Sequence, residues 1–373
     1  TNSGNMSSTN SSGTVRVNSG TSATITNQDG GTISGAPAIN VSGISGTVTL
    51  TNTNSTISGK TNISANGQIE VENNGDSSSM GEVDLTNNSS SATTNVTNSG
   101  TMGNLDITST ASSGKVTVTN SKTIGTVTAN AKGEIAVNNG SNTAINSSMS
   151  TVNLTSTSSK VTLTNTGSSV SNAIINATGD VLVTNTNVGS AQGRMGSGGA
   201  TMTLTSSGGK ATIENTGSSI SSNVNMSAAG DVTVTNTYAN GIVASIGSGS
   251  GITMSSTGGK ATLTNTGSRI NGNANINQAN QVEIINASGG TISGTVNVGS
   301  ASQRTGAVTL TNDGSTINNN VQIYSNNQVG VENKNNSSIG GTLSVNTTGG
   351  PVTITNTNST ISDGVVLAST GTN

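Results

Sequence analysis

The stretch VTLTNTGSSV, residues 161–170, places an asparagine in phase with hydrophobic residues. Successive side chains of an extended strand alternate faces, so Val161, Leu163 and Asn165 point one way and Thr162, Thr164 and Thr166 the other. An amide is therefore expected to face the core beside two aliphatic side chains. Near-copies return as ATIENTGSSI at 211–220 and ATLTNTGSRI at 261–270, so the meaning of the amide has to be sought in repetition.

The pattern apolar-x-apolar-x-Asn places its asparagine at Asn27, Asn52, Asn73, Asn98, Asn120, Asn139, Asn165, Asn185, Asn215, Asn236, Asn265, Asn286, Asn312, Asn333 and Asn356. The mean step is roughly 23 residues, within the periods of solenoid repeats. Two and four residues before each asparagine the side chain is aliphatic, with Thr94 the exception. A second apolar station follows most of the asparagines, as at Ile33, Ile57, Met80, Met102, Ile124, Val170, Ile220, Ile270, Ile292, Ile317, Ile339 and Ile361. A third station is a pair, such as Val83 with Leu85, Val152 with Leu154 or Val321 with Ile323. Three short inward-facing strands separated by Ser, Gly and Asn turns make one coil of a β-solenoid.

The fold expected is all-β: a single parallel β-solenoid, right-handed by the general crossover preference, of about 15 coils of ~21–30 residues. Coils stacked in parallel bring equivalent residues one above another at ~4.8 Å, so the in-phase asparagines are expected to form an internal ladder, each amide bonding its neighbours. An unsatisfied buried amide costs a few kcal/mol, whereas a column satisfies all members but its ends. The competing explanation is that Asn follows a strand because it tolerates positive φ in a turn. Fifteen-fold phase with the core exceeds what turn preference requires. Residues 14–373 are expected to form one continuous solenoid, with residues 1–13 a polar leader that packs on a neighbouring subunit. The start TNSGNMSSTN, without an initiator Met, fits a processed product or an excised fragment.

Composition narrows the chemistry. Of 373 residues 29% are hydrophobic and 7% charged, with two Tyr and two Pro and no Phe, Trp, His or Cys. A typical domain is about half apolar and a quarter charged, and so polar a chain is usually disordered. Here, however, Pro and net charge (−3) are both low, and the polar residues are strand, turn and ladder formers. Triads and metal sites that need His or Cys are excluded. No disulfide framework exists to report a redox compartment. The charge balance offers no basic patch for nucleic acid, and no apolar run is long enough to span a bilayer. Expected partners accordingly include neither nucleic acid nor an inserted membrane.

The residue before the first strand runs Lys115, Glu134, Lys160, Asp180, Lys210, Asp231, Lys260 on successive coils. Stacking places these charges in an outer column of alternating sign, whose use is to specify register, since exposed pairs are worth ~0–1 kcal/mol each. Coil lengths also alternate, at about 21 and about 25–30 residues, which suggests a two-coil module. The surplus falls in Gly/Ser-rich segments such as 187–200 and 299–307, expected to protrude as loops.

Catalytic, cofactor-binding and metal sites are all expected to be absent. Glu70, Glu72, Glu214, Glu283 and Glu332 alternate with apolar residues and read as a solvated face, although Glu70 with Glu72 has the composition of an acid–base pair. GGTISG at 30–35 and 289–294 lacks the Lys and the strand-to-helix context of a phosphate loop. The regularly spaced Asp of calcium-binding β-rolls is missing as well. Asn-x-Ser/Thr sequons are produced by the composition itself. Tyr238 lies in a variable loop as a candidate contact residue, next to the ordinary reading that one exposed Tyr needs no explanation. Outward Thr arrays, such as Thr49/Thr51/Thr53 and Thr262/Thr264/Thr266, have the look of an ice-binding grid, interrupted on alternate coils by the glutamates.

The segments TNTNSTISG (51–59), ENTGSSISS (214–222) and TNTNSTISD (355–363) resemble the Asn/Thr/Ser/Gly repeats of bacterial autotransporter passenger domains and related surface adhesins. The resemblance runs from about Val15 to Leu367. It implies a secreted β-helix at a bacterial cell surface or outside the cell. The functional expectation is a non-enzymatic extracellular structural protein, a self-assembling filament or surface-fibre subunit with an adhesive role. Its partners would be further copies joined head to tail and a ligand on a host or neighbouring cell. The alternatives are a monomeric adhesin stalk and an ice-binding solenoid.

Overall fold

A computed structural model describes residues 14–369 other than 19, 144, 145 and 198, so the leader at 1–13 lies outside the described residues. The described chain is all-β, without a helix, and is built as a parallel β-solenoid. Its coils group into two compact units, Thr1–Gly179 and Asp180–Asn373.

Most coils make three strands, and in the coils of Asn120, Asn139 and Asn165 the second and third run together as Thr123–Ala131, Ser148–Ser156 and Ser169–Ala177. The first carries the ladder asparagine at or next to its end, as in Val48–Thr53 and Val232–Thr237. The second is a two-residue strand such as Thr56–Ile57 or Ser219–Ile220. The third carries the apolar pair, as in Val83–Asn87 and Val321–Ser325. Like strands pair in parallel with their equivalents in the next coil, so asparagine meets asparagine: Asn27 with Asn52 and Asn98 with Asn120 in the first unit, Asn215 with Asn236 and Asn312 with Asn333 in the second.

Period-two alternation decides burial. Val161, Leu163 and Asn165 are 0% exposed, while the threonines between them are half-buried on the outer face. Because each coil contributes only a few aliphatic side chains, of ~1.5–3 kcal/mol burial apiece, the core depends on stacking rather than on any single coil. In most coils the turn after the first strand takes its left-handed residue two positions beyond the asparagine: Asn54 (φ 47°) and Gly75 (φ 95°), then Gly217 (φ 53°) and Gly267 (φ 59°). No ladder asparagine has positive φ. Turn preference thus explains the residue at Asn+2, not the asparagine itself.

The second station persists where the sequence spacing hides it. Met149, Met195 and Ile246 occupy it fully buried, ten residues after Asn139, Asn185 and Asn236. In two of these coils the extra residues close a small hairpin, with antiparallel bridges Val188–Ala191 and Ala239–Ile242. Within the segment 187–200, Arg194–Met195 returns to the wall. The segment 299–307 also folds back: Thr305 is buried and bridges Ser325, and Arg304 donates to the Asn346 carbonyl (2.9 Å) and Oδ1 (2.8 Å) with its guanidinium over Tyr324. A five-donor fork anchors a loop across two coils where Ser and Gly alone would leave it free.

Candidate functional site: the asparagine ladder and the outer charge column

The ladder runs in one direction. Asn27, Asn52, Asn73, Asn98 and Asn120 each donate Nδ2 to Oδ1 of the following asparagine at 2.7–2.8 Å, and Asn139 does so to Asn165 at 2.8 Å. In the second unit Asn185, Asn215, Asn236, Asn265, Asn286, Asn312 and Asn333 repeat this at 2.8–2.9 Å, ending on Asn356. The same Nδ2 groups also reach backbone carbonyls. Asn98, for instance, donates to Gly100 O in its own turn and to Thr123 O in the next coil, both at 2.8 Å. The amide thus does three things: it closes its own turn, fixes the next coil, and aligns its dipole with those above and below.

Thr94, the one polar residue at an aliphatic position, is 0% exposed, and its hydroxyl receives Nδ2 of Asn87, itself fully buried at the end of a third strand. The exception is a satisfied polar pair rather than a gap in the core. A second polar column was not foreseen. Serines just past the ladder accept backbone N–H groups of the preceding coil: Ser78 from Asn54 (2.7 Å), Ser168 from Ser147 (3.1 Å), Ser315 from Gly290 (3.1 Å), Ser337 from Ser315 (3.1 Å) and Ser359 from Ser337 (3.0 Å). Serine is so frequent here that its phase carries no visible signal.

On the outer face, Lys115 Nζ lies 2.8 Å from Glu134 and Lys160 Nζ 3.5 Å from the same carboxylate. In the second unit the Lys210 N–H donates to Asp180 (2.9 Å) and its Nζ pairs with Asp231 (3.0 Å). The Lys260 N–H donates to Asp231 (3.0 Å), and its Nζ reaches Glu283 (2.7 Å), one coil beyond the sequence-read column. Desolvation pushes the Glu134 carboxyl up, but its bond to Lys115 and the charges of Lys115 and Lys160 outweigh that and hold it below its ordinary value. The Lys260 backbone N–H, then Lys210, hold Asp231 below its own.

Another charged cluster escaped the sequence reading. Lys60 Nζ sits 2.9 Å from Glu82 and 2.6 Å from Asp84, and its bond to Asp84, then that to Glu82, raises it well above the usual lysine range. Asp106 stacks directly on Asp84, and the carboxylates of Glu82, Asp84 and Asp106 lie within 4.8 Å of one another. These charges lie in or just before three successive third strands, Thr61–Ala65, Val83–Asn87 and Leu105–Ser109, at outward positions that the apolar phase does not mark. Glu70 and Glu72 do not pair with each other. Gln68 holds the first (2.6 Å) and Asn74 the second (3.0 Å), at the edge of a shallow trough shared with Asn95, Thr97, Thr117 and Thr119. Tyr238, 48% exposed, and Val243, 46% exposed, border an open hollow floored by Thr266, Gly267 and Ser288.

No protein-family model, curated protein or solved structure matches this chain. What its own geometry establishes is a β-solenoid with a stacked asparagine ladder, the architecture of a β-helix repeat protein.

Proposed function

We propose that this protein is a non-enzymatic structural protein of the cell exterior, whose coils stack end to end with those of other copies into a filament or surface fibre with an adhesive role. The observation that carries this reading is the polarity of the ladder. Within each unit the coils present an amide N–H toward the next coil and an amide oxygen toward the preceding one, beside parallel strands in fixed register. Such a coil face is complementary to the opposite face of another copy, and a head-to-tail contact of this kind propagates without closing. In the coil 352–369, Val365, Val366 and Leu367 are 44%, 56% and 57% exposed, although Leu367 stacks on the buried Val345. At the other end of the described ladder, no described residue donates to Oδ1 of Asn27. The exterior location rests on the resemblance to passenger and adhesin repeats.

The experiment is sedimentation velocity over a range of concentrations with electron microscopy of the same samples, for the chain and for Leu367→Asp. The expected outcome is concentration-dependent polymers that the variant, still β-rich by circular dichroism, fails to form. A chain that sediments as a monomer throughout overturns the filament, and a monomeric adhesin stalk takes its place. A variant that polymerises as well as the parent overturns the coil 352–369 as the joining face.

A further inference from the structure

We infer that Asn240 is a site of spontaneous covalent modification, deamidation through a cyclic imide, and that the fold protects the other Asn–Gly pairs. The sequence has five such pairs: 66–67, 74–75, 139–140, 240–241 and 271–272. In the reaction the backbone nitrogen of the glycine attacks Cγ of the asparagine side chain. The new C–N bond closes a five-membered imide, and the side-chain nitrogen leaves as ammonia with the proton from the glycine N–H. Water then opens the imide at either carbonyl, giving aspartate or isoaspartate, so that asparagine and water become an acid and ammonia. The glycine nitrogen must be free of a hydrogen bond and the chain must have room to swing it onto the side chain.

These requirements separate the five pairs. The Gly75 N–H is bonded to Ser99 Oγ (3.2 Å) and the Gly140 N–H to the Asn120 carbonyl (2.8 Å). Gly67 and Gly272 are wedged against neighbouring backbone, an added Cβ meeting Gly46 O at 2.2 Å in the first case and Gly251 N and Ser248 O at 2.7 Å in the second. Asn240 and Gly241 form the tip of the hairpin closed by Ala239 and Ile242, both with positive φ (52° and 78°), as a type I′ turn requires. Both residues are exposed, nothing lies within 4 Å of a Cβ built on Gly241, and its N–H takes part in none of the turn's backbone bonds.

The product matters locally. The Asn240 amide lies 3.5 Å from Oδ1 of Asn187 on the neighbouring hairpin, and an acid there replaces a donor with a repelling charge. That charge arises beside the hollow of Tyr238 and Val243, and the isoaspartate form also lengthens the backbone of a two-residue turn.

The test is a time course of the folded protein in mildly alkaline buffer, read by peptide mapping with mass spectrometry. A gain of about one dalton, the exchange of an amide for an acid, should accumulate in the peptide holding 238–243. It should do so on the order of tenfold or more faster than in the peptides of Asn139 and Asn271, the discrimination about 1.4 kcal/mol of barrier provides. In urea all five pairs should react at comparable rates, and Asn240→Gln should abolish the gain at its own peptide alone. Equal rates at Asn240, Asn139 and Asn271 in the folded protein, or a silent Asn240 peptide, would overturn the inference.

Discussion

A ladder asparagine satisfies its own turn and two coils at once, so its value lies in hydrogen bonds rather than apolar area. Asn236 accepts from Asn215 (2.8 Å) and donates to Asn265 (2.8 Å) and to the Arg269 carbonyl (2.9 Å). Asn236→Leu keeps the volume nearly constant but removes the ladder donor to Asn265 Oδ1 and a donor to the Arg269 carbonyl, while Asn215 Nδ2 keeps the Ser218 and Ser245 carbonyls. A loss of about 1–3 kcal/mol is expected for each buried group left unsatisfied, softened by relaxation. Asn187→Leu removes an amide that donates to Gly189 within its own exposed loop (2.9 Å) and should be nearly silent. Thermal melts of the two variants decide the matter, and equal shifts would remove the energetic role assigned to the ladder. This register was legible in the sequence because asparagine at a buried strand position is costly and its recurrence demands a cause. The serine column was not, because a serine beside a turn is unremarkable until its coordinates reveal which N–H it accepts.

Among the elements, the three-strand coil could be read from apolar spacing wherever the turns were short. It was hidden where a hairpin intervened, as before Met195 and Ile246, because periodicity does not survive insertions although the stacked core does. The charge column belongs to this scale too. Lys210→Glu would put three carboxylates on successive coils, at 180, 210 and 231, and a modest fall in melting temperature is expected at low salt. Added salt should reverse most of it, since the Debye length shrinks to ~10 Å at 0.1 M. A salt-independent loss would mean that the Lys210 stem, not its charge, was being felt. The pH response has a defined sign. Glu134 and Asp231 are held below their ordinary values of 4.5 and 3.8, so their contribution is complete above those values and disappears as pH falls through the lower folded ones. Lys210 and Lys334, raised above 10.5 by their bonds to Asp231 and Glu332, contribute below that value and lose the contribution only as pH rises through their higher folded ones. Melting temperature should therefore be flat across neutral pH and decline slightly in acid, less so in high salt; a decline centred near neutrality would point to other groups.

For the whole molecule, stability in a stacked array is close to a sum of coil and nearest-neighbour terms, so it need not be uniform along the chain. Val329 and Val331 are 1% exposed, whereas the equivalent Val352 and Ile354 are only half-buried and Asn356 is exposed. Amide hydrogen exchange should accordingly be slowest in covered coils such as 308–312 and 329–333 and fastest in 352–369, where the strands are bonded on one side. The assembly proposal adds a condition that exchange can test directly. If copies join on this face, the amides of 352–369 acquire strand partners, and their protection should rise with protein concentration while that of 308–333 stays constant. Leu367→Asp should abolish the rise without slowing or speeding exchange in the covered coils. Protection at 352–369 that ignores concentration while polymers are visible by microscopy would place the contact between copies on another surface, for which the outer charge column and the hollow beside Tyr238 are the charged and apolar candidates.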